Sequence, residues 1–124
     1  MTNGPDRPLT DAERNVLLHM LSAPFPGAAE LRAQIVHARV INNWEPAGSP
    51  SIDVFVPAGS PRASIPDGLA PVTAQVIDRE GSYLGELLLW VVGGKISALE
   101  YSWVTDEPPD QLPETSWIRV SPPS

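Results

Sequence analysis

The placement of fifteen prolines constrains this chain more than any other feature. Proline fixes φ and lacks an N–H, so it is excluded from helix interiors and from the middle of a sheet. Pro5 and Pro8 fall in a polar lead-in, Pro24 and Pro26 sit close together, and Pro46 and Pro50 flank a turn of small residues. Pro57, Pro61, Pro66 and Pro71 punctuate one stretch, Pro108, Pro109 and Pro113 another, and Pro122 and Pro123 follow the last window. Ordered elements are therefore expected in the proline-free windows 9–23, 27–45, 51–56, 72–107 and 114–121.

The first window opens with Thr10-Asp11-Ala12-Glu13, the S/T-x-x-E pattern of a capping box. Leu17, Leu18 and Leu21 follow at helical spacing with Met20 beside them, and Pro24 ends the helix. A second helix is expected to start near Pro26, with Ala28, Leu31, Ile35 and Ala38 on one apolar face. From there the period changes to two. A strand over 38–44 precedes a turn at 45–50, and Ile52, Val54 and Val56 alternate with Asp53 and Phe55. Residues 57–70, rich in Pro, Gly, Ala and Ser, read as an exposed, mobile loop, after which Val72, Ala74 and Val76 resume the alternation.

The strongest local signal is the hairpin from Leu84 to Val104. Gly93-Gly94 fits a two-residue turn whose central positions need φ > 0. With no irregularity in either strand, Val92 faces Lys95, Trp90 faces Ser97, Leu88 faces Leu99 and Glu86 faces Tyr101. The pleat then puts Leu87, Leu89, Val91, Ile96, Ala98 and Glu100 on one face. Leu84, Glu86, Leu88, Trp90, Lys95, Leu99, Tyr101 and Trp103 go to the other. The expected fold is α+β: two amino-terminal helices packed on an antiparallel sheet of four to five strands, a meander with a tight Gly-Gly hairpin. A curled sheet closing towards a small barrel is the alternative. Residues 1–124 read as one domain, with a flexible lead-in (1–8), the proline-rich loop (57–70) and a proline-rich acidic tail (105–124). Within that tail Trp117, Ile118 and Val120 are expected to dock on the domain, as an added edge strand or over the second sheet face.

Composition removes several function classes. The length suits one domain with one core, and 42% hydrophobic residues suit a globular chain. Fifteen acidic and eight basic side chains give a net charge of −7, whereas nucleic-acid binding asks for clustered Lys and Arg. The absence of cysteine excludes disulfides, thiolate metal sites and cysteine nucleophiles. No apolar run approaches the roughly 20 residues of a membrane span, and residues 1–7 hold no secretory h-region, so a cytoplasmic location with no membrane or nucleic-acid partner is expected.

Candidate chemistry is sparse. His19 and His37 match no metal-ligand spacing, Ser49-Pro50-Ser51 is a polar turn and not a nucleophile elbow, and no phosphate loop is present, so no metal, no cofactor and no catalytic set is implied. Glu86 and Glu100 lie in the two strands of one hairpin but, without a bulge, on opposite faces. Glu100, set among Leu87, Leu89 and Ile96, is the candidate ligand-site residue, because a carboxylate there must be hydrogen-bonded or shifted in pKa. Trp90, Tyr101 and Trp103 share a hairpin face; either they fill a core, or with neighbouring Asp106 and Glu107 they make the candidate surface for a basic protein partner.

Residues Pro50-Ser51-Ile52-Asp53, Leu87-Leu88-Leu89 leading to Gly94, Leu99-Glu100-Tyr101-Ser102-Trp103 and Asp106-Glu107-Pro108-Pro109 form a set. In this set the chain, over roughly residues 9–113, resembles a family of small uncharacterised actinobacterial proteins. The resemblance implies no activity and no catalytic residue. Some of those relatives carry a cysteine-rich turn where this chain has Trp44-Glu45-Pro46-Ala47-Gly48-Ser49, so any metal or redox role of that turn is lost here.

These readings favour a non-enzymatic acidic binding protein, with an immunity-like or antitoxin-like inhibitor of a basic partner as one version. Two rivals are a small-molecule site or enzyme using Glu100 with Tyr101 or Trp103, and a structural subunit whose second sheet face makes a homodimer.

Overall fold

Helix α1 (Asp11–Met20) starts where the capping box places it: Thr10 Oγ1 accepts from the Glu13 N–H at 3.1 Å, and Glu13 Oε1 accepts from the Thr10 N–H at 2.8 Å. The computed structural model describes residues 6–123. After α1 come α2 (Ala28–Gln34), a 3₁₀ turn (Ile35–His37), and the strands β2 (Arg39–Asn43), β3 (Ile52–Phe55), β4 (Gly68–Leu69), β5 (Thr73–Ile77), β6 (Tyr83–Val92) and β7 (Lys95–Trp103). Strand β1 (Arg7–Pro8) precedes α1, and β8 (Ile118–Ser121) follows a second 3₁₀ turn (Thr115–Trp117). Ala28, Leu31, Ile35 and Ala38 are all buried, as their spacing requires.

The fold is α+β, but the antiparallel sheet has eight strands, more than the expected four to five. The order is β1-β2-β3-β7-β6-β5-β8, with β4 pairing to the far end of β6. The strands beyond that count are short and peripheral: β1 and β4, of two residues each, are too short to show alternation, and β8 is the added edge strand offered for the carboxyl-terminal segment. Pro8 lies inside β1, while β4 is bracketed by Pro66 and Pro71 and β8 is followed by Pro122. Proline cannot donate to a ladder, so each peripheral strand is blunted against further pairing. Of the expected flexible lead-in, residues 1–5 lie outside the described residues. Residues 6–8 are anchored instead: Arg7 pairs with Val40, and the Arg39 guanidinium binds Asp6.

The hairpin keeps its Gly93-Gly94 turn, with φ of 61° and 76°, but not its expected register. Val92 faces Lys95 and Val91 faces Ile96, and then Trp90 faces Ala98, so Ser97 is an extra residue in β7. Beyond this bulge Leu89 faces Leu99, Leu88 faces Glu100 and Leu87 faces Tyr101. A one-residue slip exchanges the faces of a strand. Leu99, Tyr101 and Trp103 therefore turn inward with Leu87 and Leu89, and Glu100 turns outward with Leu88 and Trp90. The expected Leu88–Leu99 pair does not form. Ile41 in β2 and Leu84 in β6 are extra residues of the same kind.

Both helices pack on the inward face, where Val16, Leu17, Met20 and Leu31 meet Val40, Ile52, Leu89, Ile96 and Leu99 in one core. The 57–70 loop is largely exposed, as its composition suggests, but it is held to the domain at several points. Gln34, fully buried, donates from Nε2 to Pro61 O and Gly94 O at 2.8 Å each, and its Oε1 accepts from the Ile96 N–H at 2.9 Å. The Ala63 N–H also donates to Gly94 O at 2.9 Å, and Asp67 Oδ1 accepts from the Gly93 N–H at 2.8 Å. One side chain thus ties α2, the loop and the hairpin tip together. The carboxyl-terminal segment docks on its own chain as an edge strand: β8 pairs with β5, Ile118 is buried and Trp117 packs against the core. No helix among the described residues is long and apolar enough to cross a membrane.

Candidate functional site

With both helices on one side, the outward sheet face carries no covering element of secondary structure. A transverse row crosses it over five strands: Asn42 in β2, Asp53 in β3, Ala98 in β7, Trp90 in β6 and Leu69 in β4. Ala98 is buried although it lies outside the core cluster, which places its cover on this outer side. Phe55, Leu69 and Val92 remain 50%, 49% and 55% exposed on this face.

Carboxylates are interleaved with these apolar groups and held in place by neutral donors. Trp90 Nε1 donates to Glu100 Oε1 at 2.9 Å. Trp44 Nε1 donates to Asp53 Oδ1 at 2.9 Å, and Asn42 Nδ2 donates to Asp53 Oδ2 at 3.0 Å. Glu86 is approached by the Tyr83 hydroxyl at 3.4 Å. The ion pairs among the described residues are Arg7–Glu13, Arg14–Asp11 and Arg39–Asp6, so none neutralises Asp53, Glu86 or Glu100. These acids are oriented but not compensated. Such a face can receive cationic side chains without first breaking an internal pair.

The candidates from the sequence are redistributed by the Ser97 bulge. Trp90 and Glu100, expected on opposite faces, meet on the outer one. Tyr101, buried, and Trp103, half-buried, lie on the inner face away from Trp90. Trp103 comes close to β6 because Gly85 stands opposite it; a Cβ on Gly85 would lie 2.9 Å from Trp103 Cα. Asp106 and Glu107 are exposed just past the hairpin's open end, at the start of the proline-rich strap. Glu86 and Glu100 share the outer face, contrary to expectation, yet neither lines any of three clefts next to the strap. Asp53 was legible as an outward residue of its alternating strand. Phe55 follows from the same alternation, whereas Trp44 and Leu69 join the face with no sequence signal beyond their aromatic or apolar character.

The clefts all include Leu112. The largest, about 380 Å³, lies between the start of α1, the 48–50 turn and the strap. Another, about 260 Å³, is floored by Leu84 and Tyr101. Burial pushes the Tyr101 phenol above its ordinary pKa, so the hydroxyl stays protonated through the neutral range. His19, expected on the helix surface, is half-buried and bonds through Nε2 to Ile118 O at 2.9 Å, linking α1 to β8. Among the described residues no three His, Asp or Glu side chains gather as a metal set. No family model, curated protein or solved structure matches the chain.

Proposed function

We propose that this chain is a non-enzymatic protein-binding domain that presents its uncovered sheet face to a basic partner surface. The observation that carries the reading is the interleaving of exposed Phe55, Leu69 and Val92 with the uncompensated carboxylates Asp53, Glu86 and Glu100. Aromatic anchors in a flat field with oriented charges match the composition of interface centres. The net charge of −7 adds long-range attraction to a basic protein. An immunity-like inhibitor is one concrete version, since such a role needs a rigid acidic surface and no chemistry of its own. The docked β8 leaves this face free, because it completes the sheet edge and does not cover the sheet.

The test is capture of binding proteins from the source cell by the wild-type domain and by a Phe55→Asp, Trp90→Ala double variant. A basic protein retained by the wild type, released by salt and lost with the variant supports the reading. A captured set unchanged by the variant, or self-association of the domain through this face in its place, overturns it.

A further inference from the structure

The cleft of about 260 Å³ lies on the opposite side of the molecule from the outer face, at the end of the covered sheet face where the strap takes the place of a helix as a lid. Leu84, Leu112, Tyr101 and Trp117 line it, so its wall is largely apolar. Tyr101 is 5% exposed, and its hydroxyl makes no hydrogen bond to any described residue; its bond to Ser51 Oγ, at 2.9 Å, comes from the backbone N–H. Every fully enclosed side-chain nitrogen or oxygen among those residues has a partner. The hydroxyl is therefore not sealed in, and the small remaining exposure of Tyr101 opens on the cleft it lines.

The charge of the lining fixes the sign of a ligand. Glu114 is its one carboxylate, and no Lys, Arg or His lines it. Electron-rich rings and a rim carboxylate attract a cation, and an apolar floor favours one that is weakly hydrated. The volume falls below the roughly 300–1,000 Å³ that drug-sized ligands occupy, which limits the ligand to a few carbon atoms. The Tyr101 hydroxyl and the Gln111 amide can hydrogen-bond one further polar group. We infer that this cleft is a binding site for a small organic ammonium ion bearing a hydroxyl. The ammonium lies against Trp117 below Glu114, and the ligand hydroxyl meets Tyr101 Oη. This site is independent of the outer face and stands or falls apart from it.

The experiment is a titration of the full chain with choline, and separately with its uncharged isostere 3,3-dimethyl-1-butanol, followed on the four tryptophan indole N–H signals by two-dimensional NMR. Trp117→Phe assigns its signal. Choline should saturate the Trp117 signal and bind about fivefold or more tighter than the isostere, the discrimination expected of a desolvated cation over aromatic rings. Glu114→Gln, an exposed change that leaves the core intact, should weaken choline several-fold. Tyr101→Phe should weaken choline but leave tetramethylammonium, which has no hydroxyl, unchanged. Equal binding of choline and the isostere, shifts confined to the Trp90 signal, indifference to Glu114→Gln, or no saturable binding through the millimolar range would each overturn the assignment.

Discussion

Trp90 and Glu100 meet across β6 and β7, indole Nε1 to carboxylate Oε1 at 2.9 Å, only because Ser97 is an extra residue between them and the turn. Without that residue Glu100 would point into the core and Leu99 to the outside.

This relationship gives the sharpest test of the faces. Leu99→Ala should cost about 2–5 kcal/mol, as for a fully buried leucine. The neighbouring Glu100→Ala should cost about 1 kcal/mol or less, since it loses one hydrogen bond on a partly exposed surface. Urea unfolding of the two variants decides it; a reversed order would restore the unbulged register.

Gln34 supports a second prediction. Gln34→Leu keeps roughly the volume but strips the buried Ile96 N–H and the part-buried Pro61 O of their partners, an expected loss of about 1–3 kcal/mol, mostly from Ile96. Amide exchange at Ile96 and Ala63 should accelerate more than exchange in β5. Uniform acceleration across the sheet would show that Gln34 serves only as core volume.

The two turn glycines should respond differently. At Gly93 nothing lies within 4 Å of an added Cβ, and Asn tolerates its left-handed φ, so Gly93→Asn should change stability by less than about 1 kcal/mol. At Gly94 an added Cβ would lie 2.5 Å from Ala63 O, so Gly94→Ala should displace the 57–70 loop and cost several times more. Thermal melts of both variants, with proteolysis of the loop as a second readout, test this contrast.

Acid stability should depend on Glu13. Burial works to raise its pKa, but two hydrogen bonds from Arg7, at 2.9 and 3.0 Å, and that from the Thr10 N–H hold it below the ordinary value. The folded state then binds this proton less readily than the unfolded chain. Its contribution is complete above the ordinary value of 4.5 and fades as the pH falls through the lowered one. Glu13→Gln should cost about 1–3 kcal/mol at neutral pH, with the gap to wild type closing in acid. A gap constant from pH 7 to pH 3 would contradict the linkage.

Each helix was legible from its own local signal: the capping box at Thr10 for α1, and the spacing of Ala28, Leu31, Ile35 and Ala38 for α2. The alternation around Asp53 and the Gly93-Gly94 turn were equally local and equally readable. What failed was everything that depends on one residue more or less. A bulge at Ser97 leaves no mark in composition, yet it decides whether Tyr101 or Glu100 enters the core. The anchoring of the 57–70 loop was hidden for a related reason. Its anchors are backbone groups, Pro61 O bonded by Gln34 and the Ala63 N–H bonded to Gly94 O, and neither carries a side-chain signature. Half of the outer face, Asp53 and Trp90, could be named from alternation; its pairing with Glu100 could not.

The sheet order also sets how quickly the domain can form. Two of its local pairings, β2 with β3 and β6 with β7, are hairpins that can close within microseconds. The centre of the sheet is the seam between them, where Ile52 meets Leu99 from opposite halves of the chain. Joining two preformed hairpins across so long a loop costs entropy before any core is gained, and folding of such non-local sheets runs in milliseconds to seconds. The seam between β3 and β7 is therefore the slow step of assembly, and substitutions at Ile52 or Leu99 should slow refolding more than those at the hairpin tip.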